Sequence, residues 1–330
     1  MWAEIVGAFL GVSVLLYCLL GGADFGAGIL ELFRGRNLRD KQQELISHAM
    51  GPVWEANHMW LVLAVVILFN GFPKAYAAMA VHFHIPLTLM LLGVILRGCA
   101  FTFRSYDAIR DRSQRYYTGV FMIASVLTPL MLGVVAGAMF LGRVPAPGSG
   151  FMASYVSPWL NLFSFSVGLL TCVLFAFLAA VYLVGEAHTE ELAKLFSKRA
   201  RAMNIVAVFS GAFVFLSAHL DGMSLSQRFA SDPISLSCMA LATLILIPLW
   251  RCLHRRHARA ARFFAALQVS LILLGWVKVQ FPVFLPRLTI YDAAAPEATL
   301  RFLSGGLIVG IAIIFPALFF LLRVFKGQRG

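Results

Sequence analysis

Charge is scarce in this sequence, and acidic charge is scarcer still. Only 13% of the 330 residues are charged, and 15 Asp and Glu stand against 27 Lys and Arg. A soluble domain carries about a quarter charged residues, so a water-soluble globular fold is excluded. Cysteine is sparse too: Cys18, Cys99, Cys172, Cys238 and Cys252 are an odd count, scattered along apolar segments with no CxxC pair. That pattern argues against a disulfide framework or a thiolate metal site and reads as small polarizable residues filling helix interfaces. Period-2 alternation is absent, which removes an outer-membrane β-barrel. The first apolar segment has no basic leader, is too long for a signal core and carries Asp24, so it reads as a mature first helix.

What the chain has in abundance is apolar length: 60% of the residues are hydrophobic. Nine long segments fall at roughly 5–32, 50–71, 76–103, 117–142, 158–185, 202–220, 234–250, 262–281 and 301–322. Each approaches or exceeds the length of about 20 residues that a helix needs to cross hydrocarbon. The fold class expected is an all-α integral membrane protein of about nine transmembrane helices, two four-helix bundles plus a peripheral helix. Residues 1–330 form a single transmembrane domain, with 1–142 as the first half and 158–330 as the second. The longest links, 143–157 and 282–300, are rich in Pro, Ala, Gly or Ser and read as loops bearing short interfacial helices.

Basic residues are not spread evenly over the gaps. Of the 27 Lys and Arg, 20 follow segments one, three, five, seven and nine. Cytoplasmic loops concentrate Lys and Arg, so the expected topology has the N-terminus outside and the C-terminus in the cytoplasm. The net charge of +12 then matches the orientation rule and an anionic inner leaflet, and calls for no nucleic acid.

Ionisable residues within the spans cost about 2.5–3.5 kcal/mol each on insertion scales, and few occur. Asp24 lies in the inner half of segment one, with Glu31 two turns further inward. Glu55 and His58, three residues apart on segment two, share a helical face. Arg97 lies two turns from the inner end of segment three. Two acids, an imidazole and a guanidinium therefore share one depth. One reading is an ion-pair network that fixes helix register, with Arg97 bound to Asp24 or Glu55. The sharper reading is a proton input from the cytoplasm, in which Arg97 tunes the acids. Gly22 and Gly26, spaced as GxxxG in the stretch GGADFGAG at 21–28, supply a close-packing face beside Asp24.

Other polar side chains read locally. His82 with His219 is the one pair that could be built as bis-histidine haem ligands, but interfacial hydrogen bonding is the commoner role of such residues. His219 with Asp221 reads as the cap of segment six. Trp54 and Trp60 flank the Glu55/His58 face, Trp2, Trp159 and Trp250 suit interface anchors, and Lys278 snorkels outward.

Three stretches resemble a known family: GGADFGAGILELF at 21–33, GPVWEANHMWLVL at 51–63 and LRGCAFTFR at 96–104. In this order and spacing they look like subunit II of the cytochrome bd-type ubiquinol oxidases, including the cyanide-insensitive branch. The resemblance spans the chain in length and topology, and its specific motifs sit in the first 105 residues. It implies an enzyme complex of the bacterial cytoplasmic (inner) membrane that oxidises quinol and reduces dioxygen to water. Haem b and haem d would be bound by the partner, subunit I, in a heterodimer. The family's subunit II contributes a cytoplasmic proton pathway; its first-helix acid matches Asp24 and the acid of its W-[D/E]-x-N motif matches Glu55. A structural quinone accompanies this subunit in some members. A small accessory subunit, the quinone type and any quinone-binding residues stay open. The rival readings are a secondary transporter, disfavoured because its site would lie near the midplane, and a purely structural membrane partner.

Overall fold

A computed structural model describes residues 1–33, 38–50, 54–106, 113–143, 148–286 and 288–327. The side chains of Trp54, Glu55 and Ala56 lie outside that description. The first apolar segment is one long helical run. Helix α1 (Trp2–Leu16) passes through a π-helical turn at Tyr17–Gly21 into α2 (Gly22–Glu31). A short polar helix, α3 (Arg39–Met50), follows and tucks Leu45, Ile46 and Ala49 into the core. Then come α4 (Trp54–Gly71), α5 (Pro73–His82), α6 (His84–Tyr106) and α7 (Ser113–Leu141).

The second half begins with the short α8 (Phe151–Tyr155). It continues through α9 (Leu162–Glu186), α10 (Glu190–Leu220), the short α11 (Leu225–Ser231), α12 (Pro233–Leu244), α13 (Leu246–Arg255) and α14 (Ala258–Gln280). A two-stranded antiparallel hairpin, β1 (Val283–Leu285) and β2 (Leu288–Thr289), leads through α15 (Ile290–Ala293) into α16 (Glu297–Gly327). Among the described residues eight helical runs are long and apolar enough to cross a membrane. A bent pair, Asn57–Gly71 with Pro73–His82 at 114°, gives up to nine when counted as one span. The all-α membrane fold is as expected.

Two boundaries differ most from expectation. The segment expected over 76–103 is divided, because the chain breaks at Phe83 (φ −116°, ψ 17°). Pro86 causes this: its ring clashes with the carbonyl four residues back, and it has no N–H to continue the helix. The span itself is His84–Arg104, and α5 is a separate element. The segment expected at 202–220 is instead the last part of a 31-residue helix that begins at Glu190. Its start is fixed by Thr189, whose hydroxyl accepts a hydrogen bond from the Leu192 N–H at 3.3 Å. Lys194, Lys198, Arg199 and Arg201 therefore sit on helix α10 rather than in a loop.

Helix α9 is the centre of the molecule. It is apolar all round, as suits a helix at the middle of a bundle; Leu162, Phe165 and Leu169 near its start are exposed, while further along the small residues Ala176, Ala179 and Ala180 are fully enclosed. It packs against α2, α7, α10 and α14, so it joins the first half to the second. The last helix, α16, packs on α1 and α4. Phe209, Phe302 and Ile123 point outward from the bundle, as suits a lipid-facing surface. Of the cysteines, Cys18 and Cys172 are buried as expected, whereas Cys99 is exposed on the surface of this chain. Trp250 is tied down by a hydrogen bond from its indole N–H to Asn204 Oδ1 at 2.9 Å.

Candidate functional site

The site is built on α2, and small residues place that helix. Gly22 and Gly26 face α9: a Cβ on Gly22 would come within 2.9 Å of the Phe175 ring, and one on Gly26 would overlap the Phe175 carbonyl. The expected GxxxG packing face is thus used, against α9. The opposite face of α2 carries Asp24, Gly28 and Glu31, spaced i, i+4 and i+7. This face meets α6 and α7.

Two ion pairs cross from α2 to α6. Arg97 Nη2 lies 2.6 Å from Asp24 Oδ1 and also donates to the Asp24 backbone carbonyl at 3.0 Å. Arg104 Nη1 donates to both Glu31 carboxylate oxygens, at 2.9 and 3.0 Å, and its Nη2 donates to Ser47 Oγ at 3.0 Å. Both acids and Arg97 are about 1% exposed, and Arg104 is 8% exposed, so neither pair is a surface contact. Each acid is 73 residues from its arginine, and each pair is seven positions beyond the last. Helices α2 and α6 therefore run in the same direction, and the pairs form two rungs about 10 Å apart, two turns of helix. The ring of Phe121, on α7, lies between them: the Arg97 guanidinium is 5.0 Å from its centroid and that of Arg104 is 4.3 Å. Phe25 covers Arg97 from another side at 4.7 Å. These aromatic faces offset part of the lost hydration of each guanidinium.

His58 joins the upper rung. Its ring stands edge-on to Phe25, 6.1 Å between centroids at 77°, and the charges of Asp24 and Arg97 both act on it. The neighbouring Asn57 and Trp60 are buried. Glu55 is on the first turn of α4, and its side chain lies outside the described residues. Asp24, Arg97 and His58 are therefore brought together as the sequence indicates. Glu31 belongs to the second rung.

Sequence reasoning missed Arg104, Ser47 and Phe121. Arg104 stands at the basic end of α6, where an arginine reads as part of a loop, yet it is a buried partner of Glu31. The signal for it was present: acids at 24 and 31 and arginines at 97 and 104 share one spacing of seven. Arg262, which is only half-buried, likewise pairs within the bundle, donating to Glu186 at 3.0 Å and to the Tyr182 carbonyl at 2.7 Å.

The other histidines make local contacts. His82 Nδ1 is 3.3 Å from the Ser154 carbonyl and His84 Nδ1 is 2.9 Å from the Val81 carbonyl. Asp221 ends α10 as its C-cap and takes a hydrogen bond from Arg143 at 3.1 Å. Lys278 is exposed and lines a cleft of about 520 Å³ with Arg228 and Asp232. Among the described residues no three His, Cys, Asp or Glu side chains gather as a metal-binding group.

A helical membrane protein with paired charges buried between parallel helices is the class that fold and site define. Residues 2–325 match the family described as cytochrome bd terminal oxidase subunit II, and the chain belongs to that family. Cytochrome bd-I ubiquinol oxidase subunit 2 of Escherichia coli strain K12 is 26% identical over 343 aligned residues, covering 92% of this chain and 89% of that one. Cytochrome bd ubiquinol oxidase subunit 2 of Bacillus subtilis strain 168 is 29% identical, covering 72% and 71%. The fold is shared with a chain in the structure of bd oxidase from Geobacillus thermodenitrificans. Its TM-score is 0.80 at 22% identity, over 98% of this chain and 99% of that one.

Proposed function

We propose that this chain is subunit II of a quinol:dioxygen oxidoreductase and that it supplies packing and a proton-input path to a haem-bearing subunit I. It lies in the bacterial cytoplasmic membrane with its N-terminus outside, so that Asp24, Glu31, Arg97 and Arg104 occupy the cytoplasmic side. Haem b and haem d, held by the partner, supply the electron transfer and oxygen chemistry. The steps assigned to this chain are movements of protons. Reducing dioxygen to water consumes protons, and drawing them from the cytoplasm while quinol oxidation releases protons outside separates charge without a pump. The halves 1–142 and 158–330 act as one transmembrane unit joined through α9.

One observation carries the proton reading. Asp24 is buried and uses Oδ1 on Arg97, while its Oδ2 has no hydrogen-bond partner among the described residues. A carboxylate with a spare oxygen can take up a proton and hand it on through water. The second reading is that the two rungs only fix helix register, and the closeness of the Arg97–Asp24 pair favours it.

The test is the purified complex of this chain with its partner. Haem b and haem d bands in its optical spectrum support the oxidase assignment, and their absence refutes it. Asp24→Asn and Glu55→Gln then divide the readings. The proton path requires normal haem content with slowed oxygen consumption and slowed proton uptake. Poor assembly without a turnover defect in the assembled fraction supports register alone.

A further inference from the structure

One hydroxyl beside the two rungs departs from a habit of this protein. Hydroxyls within helices commonly return a hydrogen bond to the carbonyl four residues back. Ser13, Thr128, Thr171, Thr243, Ser270 and Ser304 all do so here. Ser125, on α7, does not, and neither does Ser164 at the start of α9, which lies away from the rungs. Ser125 is fully buried, and its Oγ has no hydrogen-bond partner among the described residues. Leaving a buried hydroxyl unpaired costs about 1–3 kcal/mol, so an apolar residue would serve better if packing were the only demand.

Its position gives the reason. The Ser125 Oγ lies directly against Gly28, where any Cβ on α2 would collide with it. Gly28 is four residues after Asp24 and three before Glu31, on the same face. Ser125 therefore stands between the rungs, one turn along α7 from the Phe121 ring that both guanidinium groups cover. The strip holds further buried polar atoms with no hydrogen-bond partner among the described residues: Asp24 Oδ2, Arg97 Nε and Nη1, and Arg104 Nε. Buried water is held where two to four such groups converge, and a gap of about 10 Å between rungs is too long for a direct proton hop.

We propose that Ser125 is a positioning residue of the proton path, its hydroxyl orienting water that links the Glu31–Arg104 rung to the Asp24–Arg97 rung. This rests on the proton-input reading above. In each passage a water oxygen accepts one proton and releases another onward, so no group in the strip changes its net charge after the proton has passed. Ser125 accepts a hydrogen bond from one water and donates to the next.

The test uses the assembled oxidase with Ser125→Ala, Ser125→Thr and Asp24→Asn, reading haem spectrum, quinol oxidase turnover and the solvent deuterium isotope effect. Ser125→Ala should assemble with an unchanged haem spectrum and turn over about 3–10-fold more slowly, the weight of one hydrogen bond on a rate, with a larger isotope effect. Ser125→Thr keeps the Oγ and should restore turnover; if its added methyl prevents assembly, the alanine variant decides alone. A normal rate and isotope effect in Ser125→Ala, with Asp24→Asn slowed, overturns the role of Ser125 and leaves the path standing. Normal rates in both variants overturn the path and this inference together. Defective assembly of Ser125→Ala with a normal rate per assembled complex overturns it in favour of packing.

Discussion

Replacing Arg97 with Met separates the structural from the functional value of the upper rung. Arg97 is enclosed by Phe25 and Phe121 and, among the described residues, makes two hydrogen bonds, both to Asp24. Met is unbranched and fills a similar space without charge. The substitution leaves Asp24 buried without its cation, and breaking a buried pair in this way costs about 3–5 kcal/mol. Removing the acid's charge as well, in Asp24→Asn with Arg97→Met, should recover part of that loss, because no uncompensated charge remains and only the cost of an unpaired buried amide, about 1–3 kcal/mol, is left. The assay is the yield of the haem-containing complex and its thermal inactivation temperature, with turnover measured per haem. The single Arg97→Met variant should assemble poorly and the double variant better. If Asp24 carries protons, the double variant should still turn over slowly. A double variant that assembles no better than Arg97→Met would refute the pairing argument. One that assembles and turns over at the normal rate would refute a proton-carrying role for Asp24.

Other consequences follow from single contacts. Gly26→Ala should abolish assembly, because the added methyl overlaps the Phe175 carbonyl, while Gly119→Ala, with open space around it, should be neutral or raise stability by about 1 kcal/mol. Single cysteines placed in a Cys-free background should label from outside within 143–157 and from inside within 104–116; labelling of 104–116 in intact cells from outside would reverse the topology. Replacing His82 or His219 should leave the haem spectrum of the assembled complex intact, and selective loss of one haem band would move a ligand into this chain.

The spans were legible because hydropathy reports which stretches of chain suit hydrocarbon. It does not report where helices end. Helix α10, at 31 residues, is about 46 Å long, well beyond a hydrocarbon core of about 30 Å. Its basic first turns read as a loop because the sequence signal registers polarity, not backbone conformation. The break at Phe83 was hidden for the opposite reason: α5 is apolar enough to merge with α6, and only Pro86 marks the boundary. The hairpin at 283–289 is too short to show a period of two. Asp24, His58 and Arg97 could be grouped from depth alone, since charge inside a span is rare. Arg104 could not, because an arginine at the end of a span looks like any other loop arginine. Ser125 carried no signal at all; a serine in a membrane helix becomes informative only when its missing back-bond and its neighbour Gly28 are seen.

The two rungs differ in depth, and that difference makes an ordered prediction. Both pairs are neutral overall, which is what allows them to be buried between helices. In the proposed topology Glu31 and Arg104 lie two turns nearer the cytoplasm than Asp24 and Arg97, and Arg104 also reaches Ser47 on α3. The cost of an unpaired charge falls towards the membrane surface, where local shifts admit water. Arg104→Met therefore leaves a carboxylate near enough to the surface to rehydrate, whereas Arg97→Met leaves the deeper Asp24 without a cation on the face of α2 turned to α6 and α7. The lower substitution should destabilise the complex by at least about 1 kcal/mol less than the upper, within the usual 3–5 kcal/mol range for a broken buried pair. Thermal inactivation of the two variants side by side measures the order. A larger loss for Arg104→Met would refute the ordering of the two rungs by depth.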